Sequence, residues 1–234
     1  MATKKTKGKW IVKLLKAAVT AYLLLILCQM IGNAYSRLSI THKIPVSEEW
    51  NLIVVNRWNE LPEDYSVELT ELSNGQKVDS RIYPYLQEMF DAARAEGIYP
   101  IVREGYRTAE EQQEILDDKI QSYINQGYSQ SRAEKTAKEW VALPGTSEHQ
   151  LGIAVDINAD KSKCSNEEVY AWLAENAYKY GFVLRYPPGK QKITGTSYEP
   201  WHYRYVGEEA AKEIYERGIC LEEYFKQMIE EVGL

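Results

Sequence analysis

Histidine and cysteine are both scarce in this chain of 234 residues, which contains three of each. The cysteines show no C-x-x-C spacing, and this argues against a zinc site built from thiolates. In an oxidising compartment Cys164 and Cys220 could form a disulfide, or they could be two ordinary small residues. Any metal site that uses imidazole must draw on His42, His149 or His202.

Acidic residues are absent from residues 1–37, which carry seven of the 28 Lys and Arg residues of the chain. The remainder therefore holds 21 basic and all 34 acidic residues. Binding to nucleic acid needs a basic surface that can neutralise phosphates. The charge distribution thus argues against nucleic acid as a partner of the main part of the chain.

No charged residue occurs between Ala17 and Ser36, a stretch of 20 residues that can cross a bilayer as one helix. Six lysines precede the stretch, so the positive-inside tendency predicts a cytoplasmic leader over residues 1–16. We predict a transmembrane signal anchor over residues 17–36, with the rest of the chain on the outer side. Gly32-Asn33-Ala34 also fits a signal-peptidase site, so a secreted form cleaved after Ala34 is the alternative.

The remainder of the chain reads as a tether and one domain. Residues 37–50, which include His42, are predicted to form a short polar tether, and His42 is assigned no role. Residues 51–234 contain no Pro/Gly/Ser-rich linker, internal repeat or low-complexity tract. Helical and strand patterns alternate there without a regular β-α-β repeat. This predicts an α+β fold in which helices cover a small antiparallel sheet.

Local patterns predict individual elements of this domain. Apolar periodicity indicates helices that include residues 86–93 and 221–228. Capping boxes predict helix starts at Thr108, Ser131 and Ser165. Strands are predicted at residues 98–102, 151–157, 182–186 and 201–206. Residues 119–143 are interpreted as a surface helix pair, with a lid over a groove as the alternative.

Two of the three histidines lie in segments that read together as a metal site. His149, Asp156 and His202 offer two imidazoles and one carboxylate, a ligand set typical of catalytic zinc that leaves one position open. In the predicted strand, Gly152, Ala154 and Asp156 share one face, so two minimal side chains leave space before the acid. Unrelated structural roles for these residues are the alternative, but they leave this combination unexplained.

Glu199 lies three residues before His202, where a general base could act on the attacking water. Pro200 favours an extended backbone at Glu199 and so restricts where the carboxylate can point. The alternatives are a surface acid or a hydrogen-bond partner of a ligating histidine.

Arg107 immediately precedes the helix start predicted at Thr108, where backbone N–H groups already favour an anion. A guanidinium at this point is suited to bind a carboxylate or a developing oxyanion.

Three segments together resemble the VanY-type D-alanyl-D-alanine carboxypeptidases. They are residues 103–108, 147–156 and 199–202, and the pattern S-x-H-x-x-G-x-A-x-D is matched in full from Ser147 to Asp156. The resemblance implies a zinc peptidase that acts on bacterial peptidoglycan stem peptides and has the fold shared by hedgehog signalling domains. The predicted signal anchor would hold the enzyme in the bacterial cell membrane with the catalytic domain outside, on the side where this substrate lies.

The resemblance also implies a role for each residue of the site. It assigns zinc binding to His149, Asp156 and His202, general-base catalysis to Glu199, substrate or transition-state binding to Arg107, and the lining of the substrate pocket to Gln112 and Ser147. This chain has Glu104 where the family usually has serine, so the effect of an added carboxylate on substrate choice is an open point.

The sequence thus predicts a membrane-anchored zinc enzyme that removes the C-terminal D-alanine from stem peptides. The nearest alternative is an L,D-carboxypeptidase that trims tetrapeptide stems with the same residues. A non-catalytic cell-wall-binding module of the same fold is the alternative from another functional class.

Overall fold

The structure is a computed structural model that describes residues 49–232 together with 44, 45 and 47. The predicted leader, the predicted signal anchor and most of the predicted tether, including His42, lie outside the described residues. Within the described part of the chain, no helix has the combined length and hydropathy that a bilayer crossing requires.

Six strands and seven α-helices follow one another in the described residues. The strands are β1 (Leu69–Glu71), β2 (Lys77–Asp79), β3 (Pro100–Glu104), β4 (Ala154–Ala159), β5 (Phe182–Leu184) and β6 (His202–Tyr205). The helices are α1 (Tyr83–Ala95), α2 (Ala109–Asn125), α3 (Gln130–Ala137), α4 (Asn166–Asn176), α5 (Gln191–Thr194), α6 (Glu208–Arg217) and α7 (Leu221–Val232). Short 3-10 helices occur at Trp50–Leu52, Glu148–Leu151 and Ala177–Tyr180.

The strands form two small antiparallel sheets. One contains β1 and β2, and the other has the order β3-β4-β6-β5. The central pair sets the register of the candidate site, because Asp156 on β4 lies directly opposite His202 on β6. On its other side Asp156 pairs with Glu104 of β3, after an irregularity between Val102 and Glu104. The predicted α+β fold with a small antiparallel sheet is confirmed for this part of the chain.

The central strand is apolar on the face that packs against the helices, as its alternation predicts. Ile153, Val155 and Ile157 are completely buried in the main core. Helix α1 covers this core with its apolar stripe of Leu86, Met89, Phe90 and Ala93. A second apolar cluster forms where α6 and α7 pack near the end of β6. Asp156 and His202 therefore project from a sheet whose neighbouring residues Val155 and Ile157 are tightly packed in the core.

Two of the three predicted capping boxes are confirmed. The side chains of Thr108 and Ser165 each accept a hydrogen bond from the backbone N–H of the third residue of their helix. That residue is a glutamate in both helices, and its carboxylate accepts a hydrogen bond from the backbone N–H of the cap residue. The prediction at Ser131 is wrong, because α3 has Ser129 as its N-cap and begins at Gln130, so that Ser131 lies inside the helix. Glu134 accepts a hydrogen bond of 2.7 Å from the Gln130 side chain instead of reaching back to a cap.

The strand predictions locate the right segments but misplace their ends. The strand predicted at residues 151–157 begins only at Ala154, because Leu151 closes a 3-10 helix and Gly152 adopts a left-handed φ of 74°. The strands predicted at 182–186 and 201–206 are shorter, and the strand predicted at 98–102 is shifted towards Glu104.

The possible disulfide between Cys164 and Cys220 is not formed, since both thiols are free. Cys164 packs beside Tyr99, whose backbone N–H lies 3.3 Å from the Cys164 sulfur. Cys220 is buried, and its backbone N–H donates to the Glu223 carboxylate at the start of α7. The two cysteines therefore act as ordinary small residues in separate environments.

Substitution of Gly105 tests how closely the backbone of β2 packs against the segment after β3. A Cβ atom on Gly105 would overlap the Lys77 carbonyl oxygen, which is backbone and cannot swing aside. We expect Gly105→Ala to lower the free energy of unfolding by about 3 kcal/mol in denaturant titrations. Gly97→Ala is the control, because it meets open space and carries only left-handed backbone strain of roughly 1 kcal/mol. Equal losses in the two variants would contradict the close packing.

Candidate active site

Three side chains converge at the centre of the sheet in an arrangement suited to a divalent metal ion. His149, Asp156 and His202 each offer one ligand atom, and these atoms lie within 4.8 Å of one another. The Asp156 Oδ1 atom is 2.8 Å from His202 Nδ1 and 3.6 Å from His149 Nε2. Strand pairing brings Asp156 and His202 together, while His149 comes from the 3-10 helix that precedes β4.

The ring of His149 is oriented by the backbone. Its Nδ1 atom lies 2.8 Å from the Gly105 carbonyl oxygen, which can only accept a hydrogen bond. The proton of a neutral ring therefore sits on Nδ1, and the Nε2 lone pair faces Asp156. This is the state in which a histidine binds a metal ion, so the donor set fits zinc.

The electrostatics of the cluster also favour a cation. Burial opposes charge on Asp156, yet His149 and His202 outweigh it and hold the pKa of the Asp156 carboxyl well below its usual range. Burial likewise lowers the pKa of His202, but the carboxylates of Asp156 and Glu148 raise it to about 9. The raised pKa of His202 shows that the carboxylates around it stabilise positive charge at this point, and a divalent ion supplies such charge.

Glu199 lies beside the cluster, in the turn before β6. Its Oε2 atom is 3.9 Å from His202 Nδ1, and the turn is closed by a hydrogen bond from the His202 backbone N–H to the Glu199 carbonyl oxygen. Burial raises the pKa of the Glu199 carboxyl above its ordinary value. A carboxylate with raised proton affinity next to a metal site is suited to general-base catalysis.

Arg107 is held in place at the other side of the cluster. One guanidinium nitrogen donates to Gln112 Oε1 at 2.8 Å, and another lies 3.6 Å from Glu104 Oε2. Gln112 is itself fixed, because its amide donates to the Ala142 carbonyl oxygen at 2.7 Å. The buried Arg107 Nε atom has no hydrogen-bond partner among the described residues, so the guanidinium retains capacity for an anion.

All seven residues predicted for the site line one cavity of about 210 Å³: Arg107, Gln112, Ser147, His149, Asp156, Glu199 and His202. Sequence reasoning missed several other lining residues, among them Ile115, Trp140, Val141, Ala142, Tyr186, Thr196 and Trp201. Residues 119–143 do form helices at the surface, and the segment just after α3 contributes part of the cavity wall.

Glu148 is the most important residue that the sequence interpretation passed over. It is buried beside the cavity, where its Oε1 atom accepts hydrogen bonds from Arg185 at 2.8 Å and Arg204 at 3.0 Å. Burial opposes its charge, but the two guanidinium groups hold the pKa of Glu148 well below its usual range. The available signal was the presence of one arginine in each of the strands predicted at residues 182–186 and 201–206, since a cation that becomes buried needs an acid as its partner.

Comparisons with known proteins agree with this geometry. The family model of VanY, D-alanyl-D-alanine carboxypeptidase, matches residues 75–208. A D-alanyl-D-alanine carboxypeptidase of Enterococcus faecalis is 62% identical over 177 residues, which cover 76% of this chain and 66% of that protein. A D-alanyl-D-alanine carboxypeptidase of Enterococcus faecium is 33% identical over 199 residues, which cover 83% of this chain and 58% of that protein. The chain therefore spans less than two thirds of the length of these curated relatives.

Solved structures show the same likeness. One is a crystal structure of a mutant vancomycin-resistance D,D-pentapeptidase VanY in complex with Zn(II). Its sequence is 62% identical to this chain, the TM-score is 0.73, and the match covers 75% of this chain and 99% of that one. VanYB in complex with D-alanine-D-alanine is 61% identical, with a TM-score of 0.74 and coverage of 76% and 98%. The LD-carboxypeptidase LdcB is 34% identical, with a TM-score of 0.65 and coverage of 81% and 96%.

The family model spans more than half of this chain, and the match includes the segments that carry Arg107, His149, Asp156, Glu199 and His202. The resemblance predicted from those segments is confirmed: the chain belongs to the VanY family of D-alanyl-D-alanine carboxypeptidases.

Proposed function

We propose that this chain is a zinc-dependent D,D-carboxypeptidase that removes the C-terminal D-alanine from peptidoglycan stem peptides. The observation that carries the proposal is the convergence of His149, Asp156 and His202 in a cavity that also contains Glu199 and Arg107. A relative solved with Zn(II) and another solved with D-alanine-D-alanine support the choice of metal and of substrate.

His149, Asp156 and His202 would hold the zinc ion. When bound, zinc supplies Lewis-acid chemistry that polarises the scissile carbonyl and lowers the pKa of water. Glu199 accepts a proton from the attacking water and passes it to the amino group of the departing D-alanine. Its carboxylate lines the cavity beside the candidate ligand set, 3.9 Å from His202 Nδ1.

Arg107 gives the enzyme its preference for a chain end. A guanidinium can form two parallel hydrogen bonds with a carboxylate, such as the free carboxylate at the C-terminus of the substrate. Gln112 holds the guanidinium at a fixed place beside the metal ligands, so the peptide bond nearest to the chain end is the one presented for cleavage.

L,D-carboxypeptidase activity on tetrapeptide stems is the second candidate. It is favoured by the likeness to LdcB and to an L,D-carboxypeptidase DacB of Streptococcus pneumonia, which is 32% identical with a TM-score of 0.60. A non-catalytic binding module is less well supported, since such a module needs neither Glu199 nor Arg107 at the cavity.

We also propose that the enzyme works at the outer face of the bacterial cell membrane, anchored by residues 17–36. The charge pattern of the N-terminal sequence supports this location, and so does the position of peptidoglycan outside the membrane.

Release of D-alanine by the purified chain tests the proposed reaction. We expect zinc-dependent release from a pentapeptide stem that ends in D-Ala-D-Ala, and loss of release when a chelator removes the metal. The same assay on a tetrapeptide stem is the comparison. Release of D-alanine from the tetrapeptide alone would show L,D-carboxypeptidase activity and contradict the proposal. Zinc binding without any release would support a non-catalytic binding module.

Replacing Glu199 tests its role as the general base. We expect Glu199→Gln to keep the shape of the side chain and to retain one zinc ion per chain, because the residue lies beside the ligand set. The kcat for pentapeptide should fall about 10²- to 10⁴-fold, the usual contribution of a general base. Zinc content and kcat are measured on the same sample, and loss of zinc in this variant would instead identify Glu199 as a ligand.

Replacing Glu104 tests whether this acid competes with the substrate for Arg107. Because the two side chains lie 3.6 Å apart, we expect Glu104→Gln to free the guanidinium and lower KM for pentapeptide about two- to five-fold, with kcat unchanged. Glu110→Gln is the matched control, since it removes the same charge from an exposed position in the first turn of α2. An equal decrease in KM for both variants would mean that net charge, not the pairing with Arg107, sets the affinity.

A further inference from the structure

The two histidines of the site are supported from behind in different ways. The Gly105 carbonyl oxygen lies against Nδ1 of His149, so Nε2 is the nitrogen that faces Asp156. In His202 the situation is reversed, because Nδ1 is the nitrogen that faces Asp156 at 2.8 Å. A neutral His202 ring must therefore carry its proton on Nε2 if Nδ1 is to act as a ligand.

The Nε2 atom of His202 faces one specific oxygen. It is buried and lies 3.8 Å from the Oε2 atom of Glu148, which is buried as well. Neither atom has a hydrogen-bond partner among the described residues. Since buried polar atoms are nearly always paired, two facing atoms of this kind point to an interaction that a small shift of either side chain completes.

The other oxygen of Glu148 explains why the carboxylate stays in this position. Its Oε1 atom accepts hydrogen bonds from Arg185 and Arg204, and all three side chains are fully buried. Arg185 is fixed in turn by Glu222 on α7, with contacts of 2.6 and 2.9 Å. The Oε2 atom of Glu148 therefore faces the His202 ring from a carboxylate that its Oε1 contacts hold in place.

We propose that Glu148 is the positioning residue of His202: its Oε2 atom accepts the Nε2 proton and so leaves the Nδ1 lone pair available to the metal ion. The inference rests on the metal site in the proposed function. It gives Glu148 a task beyond neutralising two arginines, which is all that a purely structural role requires.

Glutamine at position 148 separates these two roles. Its single amide oxygen is needed by Arg185 and Arg204, so the NH₂ group turns towards His202. That group donates to Nε2 and drives the proton to Nδ1, the nitrogen required for the metal. Glu222→Gln is the matched control, because it removes the same charge from the same buried network without facing His202.

The test measures zinc affinity by chelator competition and thermal unfolding for the full-length chain and both variants. We expect both substitutions to lower Tm, but only Glu148→Gln to weaken zinc binding, by about 10- to 100-fold. Unchanged affinity in Glu148→Gln, or an equal loss in Glu222→Gln, would overturn the assignment.

A measurement on the unsubstituted chain keeps the inference testable if Glu148→Gln does not fold. Nitrogen-15 NMR of the zinc-loaded chain should show a protonated Nε2 and an unprotonated Nδ1 on His202, whereas a protonated Nδ1 refutes the proposal. Neither readout depends on hydrolysis. A chain that binds zinc but releases no D-alanine would refute the proposed function and leave this test in place.

Discussion

The structure around the site depends on the neutralisation of two arginines that have no exposed side-chain surface. Arg185 and Arg204 both contact Glu148, and Arg185 is also bound by Glu222. Removing a guanidinium or carboxylate from water costs several kcal/mol, and only close pairing with further hydrogen bonds offsets that cost. Loss of one partner from such a network typically destabilises a protein by about 3–5 kcal/mol. The four side chains therefore hold their places as a unit.

This network connects the segments that carry the candidate site residues. Arg204 lies on β6 two residues after His202, and Glu148 directly precedes His149. Arg204 also donates to the Ile53 carbonyl oxygen, which attaches the first described segment to the sheet. The hydrogen bond between Arg204 and Glu148 joins β6 to the 3-10 helix at Glu148–Leu151, the two segments that carry the candidate metal ligands His202 and His149. The buried charges thus keep the cavity in one arrangement.

Local sequence patterns predicted much of this site, because its ligands lie where short-range rules apply. Alternation along β4 placed Asp156 on the face opposite the buried Val155 and Ile157, and the cap at Thr108 located the start of the helix beside Arg107. The same kind of rule failed at Ser131, where a second S-x-x-E pattern fell inside a helix. There, a side-chain hydrogen bond from Gln130 engages the glutamate that the pattern requires.

Long-range partners were beyond such rules. The acid Glu148 meets arginines that are 37 and 56 residues away, so nothing in its neighbouring sequence reveals them. The close approach of Gly105 to Lys77 depends on the packing of one small sheet on another. The cavity wall at Trp140 and Ala142 arises from the hydrogen bond between Gln112 and the segment after α3. Each of these features exists only once distant segments have come together.

The part of the cavity wall formed by Trp140, Val141 and Ala142 is separate from the segments that carry the candidate metal ligands. The candidate metal ligands stand on the sheet and the 3-10 helix before it, whereas Trp140, Val141 and Ala142 belong to a surface segment that contributes no ligand. Trp140 is 58% exposed, so its replacement disturbs little of the core. This part of the cavity wall can therefore change in sequence while the candidate metal ligands keep their positions on the sheet and the 3-10 helix.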